Sequence, residues 1–277
     1  MNILILHMRY APDATGTGPL VTQLAEDLVA AGEQVSVITS VPHYGRSQVS
    51  KEYRQGLLSS KLESGVSVWR TAAFPWWGGS ILGRAIDYGL YTMLAFLAGL
   101  RVLKPDVILA VAPPITVGPL AWIISKLRGA PIAYNAQDIW PDGLVRMGRL
   151  RNLAAIRMFH WLEAWIYRMV DQILVVSEGM KQNLEEKGVS KGKIKVIPNW
   201  VDLDAIKPIP KDNSFCREHD LEDRFVVLFA GNLGYAAGLE VLLNAANYCQ
   251  QHEEILFLLV GAGSAKKQLE EQAINRG

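Results

Sequence analysis

Two carboxylates bracket an apolar turn in the segment Ala136-Gln137-Asp138-Ile139-Trp140-Pro141-Asp142. A carboxylate so placed can take a proton from an attacking hydroxyl, and Trp140 offers a flat apolar face of the kind a sugar ring rests on. The same residues admit a plainer reading, in which Asp138 caps the next turn and Trp140 packs. Three glycine-rich segments stand just ahead of stretches with helical periodicity: Gly16-Thr17-Gly18, Gly231-Asn232-Leu233-Gly234 and Gly261-Ala262-Gly263. A helix start presents bare amide N–H groups and the positive end of its dipole, which suits a diphosphate. One such segment is often only a tight turn, but three in equivalent positions point to a phosphorylated ligand. His7 and His43 each follow a strand-like run, where an imidazole either donates to a hydroxyl or phosphate or is held within its own loop. His160, His219 and His252 read as structural or solvated, and no histidine has metal-ligand spacing.

These residues need a scaffold, and the chain supplies one by alternation. Ile3 to Leu6 is a short all-apolar strand, as a parallel strand covered on both faces requires. Leu20, Leu24 and Leu28 follow at helical spacing with Gly32 as the stop, and Gln34 to Thr39 is the next strand. Strands are expected again at Val66 to Arg70, Asp106 to Ala112, Pro131 to Asn135, Gln172 to Val176 and Lys193 to Ile197. Helices are expected at Leu120 to Lys126, Phe159 to Val170 and after Ser177 as N-cap. Between Phe74 and Lys104 the Trp-, Leu- and Ala-rich run predicts a pair of core-packed helices in preference to a membrane- or acceptor-facing surface. Lys195 to Asp204, stopped by Pro198-Asn199, reads as a hinge, after which strand and helix signals restart at Phe225 to Ala230, Leu239 to Gln250, Ile255 to Val260 and Ser264 to Ala273. The pattern predicts an α/β protein: a doubly wound parallel sheet over residues 1–198, then a partial second Rossmann-like domain over 199–277 with only two clear strands.

Composition excludes several classes. With 277 residues, half of them apolar, the chain can bury two cores. Its two cysteines, Cys216 and Cys249, are too few for a disulfide framework or a zinc site, so no metal is expected and a reducing cytoplasm fits. The uncharged run of nineteen residues from Val107 to Ser125 is interrupted by Pro113-Pro114 and Pro119, so it reads as strand, loop and helix instead of a membrane span. Residues 1–200 carry 21 Lys+Arg against 15 Asp+Glu, a net +6, whereas residues 201–277 carry 7 against 12, a net −5. A basic first part suits a phosphate-bearing ligand or an anionic membrane surface, or is ordinary surface charge. A dinucleotide-binding oxidoreductase is disfavoured: Gly16 lies ten residues after Leu6, a third glycine is missing, and the second strand ends in Thr39-Ser40 without the acidic residue that holds a ribose. No phosphate-loop motif of the Gly-x-x-x-x-Gly-Lys-Ser/Thr type is present.

Together the motifs resemble those of the retaining GT-B glycosyltransferases of family 4, of the bacterial capsule, O-antigen and colanic-acid type. The matching segments are Tyr10-Ala11-Pro12 with Gly16-x-Gly18, Pro42-His43-Tyr44-Gly45, Lys104 to Ala110, Pro113-Pro114, Asp138-Ile139-Trp140-Pro141-Asp142, Ile197-Pro198-Asn199-Trp200-Val201-Asp202, and Gly231 to Gly234 through Gly238-Leu239-Glu240. The resemblance implies transfer of a sugar, with retention, from a nucleoside-diphosphate donor to a saccharide or polyprenyl-diphosphate-linked acceptor in cell-surface polysaccharide biosynthesis. It implies no cofactor and no nucleic acid, and the basic first part with the aromatic Phe74 to Lys104 segment adds the expectation of a cytoplasmic protein in peripheral contact with the inner face of the membrane. By resemblance, Asp138 is the catalytic residue. Gly16, Gly18, Asn199, Gly231, Asn232, Gly234, Gly261 and Gly263 hold the donor, and His43, Tyr44 and Trp140 hold the acceptor. Two departures stand out. Asn232 and Ala236-Ala237 occupy the loop where many relatives carry basic residues, and the resemblance places the family's paired glutamates, which grip donor sugar and ribose, beyond Gly277. The chain is therefore expected to be truncated within the donor domain, with weak or absent transfer activity of its own; a catalytically silent acceptor-binding module and a sugar-nucleotide epimerase of similar shape are the alternatives.

Overall fold

The computed structural model describes every residue except 14–15, 44–48, 54–55, 74–80, 147, 149 and 277, and the side chains of Ile81, Leu82, Arg84, Arg146 and Ala236 also lie outside the described set. The chain divides into two units, Met1–Val201 and Asp202–Gly277.

In the first unit, β1 (Asn2–Leu6) sits centrally. Ile3 and Ile5 project to one side, where helix α1 (Gly18–Ala30) places Val21 and Ala25. Leu4 and Leu6 project to the other. Both faces are therefore covered, which is why the strand carries no polar alternation. Strand β2 (Gln34–Ser40) lies parallel on one flank of β1. Beyond it come β4 (Val66–Thr71), parallel to β2, and β3 (Leu58–Glu63), the antiparallel edge. On the other flank β5 (Val107–Ala112), β6 (Ile132–Ala136), β7 (Gln172–Val175) and β8 (Ile194–Val196) follow in parallel, so the sheet order is β3-β4-β2-β1-β5-β6-β7-β8. The chain turns from one flank to the other between β1 and β5, and the crevice beyond their carboxyl ends is the topological switch point where such sheets bind ligands.

Helices α2 (Ile81–Gly99), α3 (Val117–Arg128), α5 (Leu153–Met169) and α6 (Glu178–Glu186) contribute buried residues to the core on the face opposite α1. A short helix, α4 (Asp142–Arg146), lies ahead of α5. Helix α3 closes on α5 because residue 118 is glycine: a Cβ there would stand 2.8 Å from the Ile166 side chain. Beside this contact, Trp122 and Trp165 meet edge to face with ring centroids 5.3 Å apart.

The doubly wound α/β sheet agrees with expectation, and so do all seven expected strands of the first unit. Three details differ. Strand β3 went unread because its sequence, Leu-Ser-Ser-Lys-Leu-Glu, packs no continuous apolar face, as befits an edge. Of the helix pair expected between Phe74 and Lys104, residues 74–80 lie outside the described residues, and the described ones hold one nineteen-residue helix, α2, with no proline to interrupt it. Helix α5 starts at Leu153, ahead of the expected Phe159, because the Asn152 side chain accepts the Ala155 amide (3.0 Å) and so nucleates the first turn earlier.

The second unit contains α7 (Ser214–Glu218), β9 (Phe225–Asn232), α8 (Glu240–Tyr248), β10 (Ile255–Ala262) and α9 (Lys266–Arg276). Its two strands pair in parallel, and Leu233, Leu239, Leu243, Ala265 and Leu269 form its core. Among the described residues, no helix of either unit is long and apolar enough to cross a membrane.

Candidate functional site

At the switch point the exits of β1 and β5 are joined by His7, which is fully buried. Its Nδ1 lies 3.0 Å from the Val111 carbonyl and its Nε2 lies 2.8 Å from Thr17 Oγ1. Burial pushes the imidazole from its ordinary 6.5 down to about 4, so the ring is neutral at neutral pH. With its single proton on Nδ1 donating to Val111, Nε2 must accept, and the Thr17 hydroxyl is the donor. Thr17 directly precedes α1 and makes no side-chain cap to it.

The loop around this helix start is built to bring backbone close. Gly16 adopts φ +65°, a conformation that side chains disfavour, and the space where its Cβ would stand is open. At Gly18, by contrast, a Cβ would stand 3.0 Å from the Asp13 carbonyl oxygen. Thr22 Oγ1 then closes the turn, accepting the Ala11 amide (2.9 Å) and donating to the Gly18 carbonyl (3.0 Å).

The acidic segment leaves β6 on the adjacent flank. Asp138 is exposed, and among the described residues no donor reaches its carboxylate, so it does not cap a turn. Protein packed against its inner side raises its carboxyl above the ordinary carboxylate value by desolvation. Trp140 meets Phe159 of α5 edge to face, 6.0 Å between ring centroids, and remains half-buried. Asp142, the second carboxylate of the motif, lies 3.0 Å from Lys187 Nζ and 3.7 Å from His160 Nε2, so it is committed to a structural ion pair. One residue before Asp138, Gln137 donates to Asn135 Oδ1 (2.7 Å) and accepts from Asn199 Nδ2 (2.9 Å). The neighbouring Trp200 donates from its indole to Gln23 Oε1 of α1 (3.0 Å). The segment leading out of the first unit is thus tied both to α1 and to the acidic loop.

His43 is buried at the exit of β2, with Nδ1 2.7 Å from the Val41 carbonyl and Nε2 2.9 Å from Asp87 Oδ2 of α2. Both ring nitrogens already face protein oxygens, which corresponds to the plainer of the two readings for this residue. Tyr44 lies outside the described residues.

In the second unit the glycines are not all alike. Gly231 and Asn232 end β9, and Gly261 and Ala262 pair with them at the end of β10. A Cβ on Gly261 would fall 1.9 Å from the Gly231 carbonyl oxygen, and one on Gly263 would fall 2.3 Å from that of Leu233. Close backbone approach therefore accounts for Gly261 and Gly263 without a ligand. Gly231 and Asn232 are exposed beyond the strand core, and the Gly234 amide donates to the Asn232 carbonyl (2.8 Å) ahead of α8. Sequence reasoning missed Thr17, Gln137 and Lys187. Thr17 lay inside the glycine motif and could have been found, whereas Lys187 is far from Asp142 in sequence with no local pattern linking them.

The chain matches known proteins along this whole framework. Residues 15–200 match the family described as "Glycosyl transferase 4-like domain". Over 285 aligned positions the chain is 30% identical to an Escherichia coli K12 protein carrying the name colanic acid biosynthesis glycosyl transferase WcaI, covering 100% of this chain and 70% of that one. Among solved structures, Anabaena Alr3699/HepE in complex with UDP-glucose superposes with a TM-score of 0.65 at 18% identity, covering 100% of this chain and 66% of that one. UDP-GlcNAc 2-epimerase from Neisseria meningitidis bound to UDP-GlcNAc gives a TM-score of 0.51 at 13% identity, covering 99% of this chain and 70% of that one. At such identities these two structures speak to the fold, the α/β arrangement of the GT-B glycosyltransferases. The length and identity of the sequence match go further: the chain belongs to the glycosyl transferase 4-like family.

Proposed function

We propose that this chain transfers a sugar, with retention of anomeric configuration, from a nucleoside-diphosphate donor to a hydroxyl of a saccharide or polyprenyl-linked acceptor in cell-surface polysaccharide biosynthesis. The observation that carries the reading is the switch-point turn. Neutral His7 takes the Thr17 hydroxyl, which makes no cap to α1, and Gly16 and Gly18 let the backbone turn closely past Asp13 into the helix, whose first turn offers the Gly18 and Leu20 amides, Pro19 having none. Such amides suit a leaving diphosphate. The UDP-glucose held by HepE supports UDP as the nucleotide, and the name of the Escherichia coli relative supports exopolysaccharide as the product class. Asp138, exposed and with no donor on its carboxylate among the described residues, takes the acceptor proton, while Trp140 lends its half-buried face to the acceptor ring. Within the second unit, taken by itself, Gly231, Asn232 and Gly234 ahead of α8 offer backbone suited to a nucleotide. No metal or other cofactor takes part. Titration of the chain with a panel of UDP-sugars, followed by assay of UDP release and product anomer by NMR, tests the reading. Absence of both binding and UDP release across the panel overturns it.

The likeness to a UDP-GlcNAc 2-epimerase favours a second reading, in which the donor is isomerised with no acceptor present. Appearance of an epimeric UDP-sugar in the same NMR assay selects that reading. UDP-sugar binding without either product leaves an acceptor-binding module.

Peripheral membrane contact is proposed for the outer surface of α2, α3 and α5. There Met93, Leu97, Ile123, Leu127, Met158 and Trp161 are exposed, with Arg101, Lys126, Arg157 and Arg168 beside them. Apolar side chains set among basic ones suit an anionic lipid surface. Flotation with phosphatidylglycerol vesicles at low salt, reversed at high salt, is the expected outcome. Failure to bind at low salt refutes it.

A further inference from the structure

Asp142 belongs to the acidic motif, yet it turns away from Asp138 toward the C-terminal end of α6. Lys187 Nζ there lies 3.0 Å from Asp142 Oδ2, and 3.1 and 2.9 Å from the two carboxylate oxygens of Glu163. Glu163 is buried in α5, where its Oε1 also accepts the Tyr167 hydroxyl (3.0 Å). The Tyr167 ring meets Tyr134 of β6, the strand that runs into the acidic loop, with centroids 6.2 Å apart. His160 borders the same cluster, 3.7 Å from Asp142 and from Glu163. Glu163 alone would hold Lys187 by two hydrogen bonds. The additional link to Asp142 therefore does something else: it ties α4 and the loop before it to α5 and α6.

That loop is secured to α5 twice, through the apolar Trp140–Phe159 contact and through the Asp142–Lys187–Glu163 bridge. Asp138 itself accepts no hydrogen bond among the described residues, so the orientation of its carboxylate depends on how firmly its neighbours are held. A reacting group is effective only when its supporting residues fix it within a fraction of an ångström. We propose that Lys187 is a positioning residue for the transfer reaction, acting through Asp142 to hold the loop that presents Asp138. The proposal rests on the glycosyl-transfer reading above.

Asp142→Asn is the variant that tests it, because Lys187 keeps Glu163 as its partner and the buried carboxylate stays compensated. Hydrogen–deuterium exchange over residues 137–146 becomes about tenfold faster in this variant, with exchange in β5 and α3 unchanged. Lys187→Met produces the same local loosening, and Lys187→Arg, which preserves the charge, restores protection. With whichever UDP-sugar of the panel turns over, Asp142→Asn lowers kcat about tenfold while the donor KM stays within about twofold. In an Asp138→Asn background it has no further effect on kcat. Unchanged loop exchange in Asp142→Asn, or a kcat loss that simply multiplies with that of Asp138→Asn, overturns the proposal. A parent chain that neither binds nor turns over any UDP-sugar sinks the transfer reading instead, and the exchange measurement still decides whether the bridge holds the loop.

Discussion

The Thr17 hydroxyl donates to Nε2 of His7 across 2.8 Å, joining the turn that opens α1 to the buried exit of β1. The direction of that bond is set by burial, which holds the imidazole near a pKa of about 4 and so keeps Nε2 an acceptor. The unfolded chain takes up a proton near pH 6.5, which the folded chain refuses until about pH 4. Stability therefore falls as pH is lowered through this window, by up to roughly 3 kcal/mol from this one residue. Urea denaturation between pH 7 and pH 4 measures the slope, and His7→Gln, which has no proton to gain in that range, flattens it.

Thr17→Val removes the donor and leaves His7 Nε2 buried without a partner. A loss of about 1–2 kcal/mol is expected in urea denaturation. Thr17→Ser retains the hydroxyl and recovers most of that loss.

At the two glycines of the same turn, different failures are expected. Gly16→Ala places a side chain at φ +65° in open space, so the cost is conformational, about 1–2 kcal/mol of stability. Gly18→Ala brings a methyl within 3.0 Å of the Asp13 carbonyl and displaces the turn itself. Calorimetric titration with whichever nucleotide sugar the parent chain binds separates the two: affinity drops more in Gly18→Ala, although the fold loses less from backbone strain.

Asp138→Asn lowers UDP release by about 10²–10⁴-fold, the usual worth of a positioned proton acceptor. Desolvation raises the carboxyl of Asp138, so its ionised form appears only at a pH above the ordinary carboxylate value. The acid limb of kcat against pH is displaced upward accordingly and disappears in Asp138→Asn. The same shift means that ionising Asp138 opposes folding as pH rises past its ordinary value, so the asparagine variant is no less stable at neutral pH.

Away from the site, Gly118→Ala drives a methyl to within 2.8 Å of Ile166 and forces α3 off α5. Thermal and urea denaturation are expected to show a loss of about 1–3 kcal/mol, with nucleotide-sugar affinity unchanged.

The sheet was legible because β1, β5 and β7 announce themselves as short apolar runs, which is what burial on both faces demands, and β2 by its Val35, Val37 and Ile38 among small polar residues. The glycine turn before α1 was legible for the same local reason. What escaped was set by distance along the chain. Nothing near His43 indicates that Asp87 will meet its Nε2, and nothing near Asn199 indicates that Gln137 will accept its amide. Gly261 and Gly263 look like the glycines of the other two turns in sequence, and only the 1.9 Å and 2.3 Å approaches of facing carbonyls to their absent Cβ positions reveal a steric cause. Asp142 was weighed beside Asp138 because the two share a motif, yet of the two it is Asp142 that Lys187, itself held by Glu163 of α5, engages in an ion pair.

The two side-chain bonds just ahead of Asp202 bear on how the chain leaves the sheet. Asn199 is moored to Gln137 and Trp200 to Gln23, so the polypeptide departs as a strap fastened on both sides of the crevice instead of as a slack tether. A tug applied beyond Val201 would reach the backbone next to Asp138, and the helix opened by Gly18, before it reached any strand.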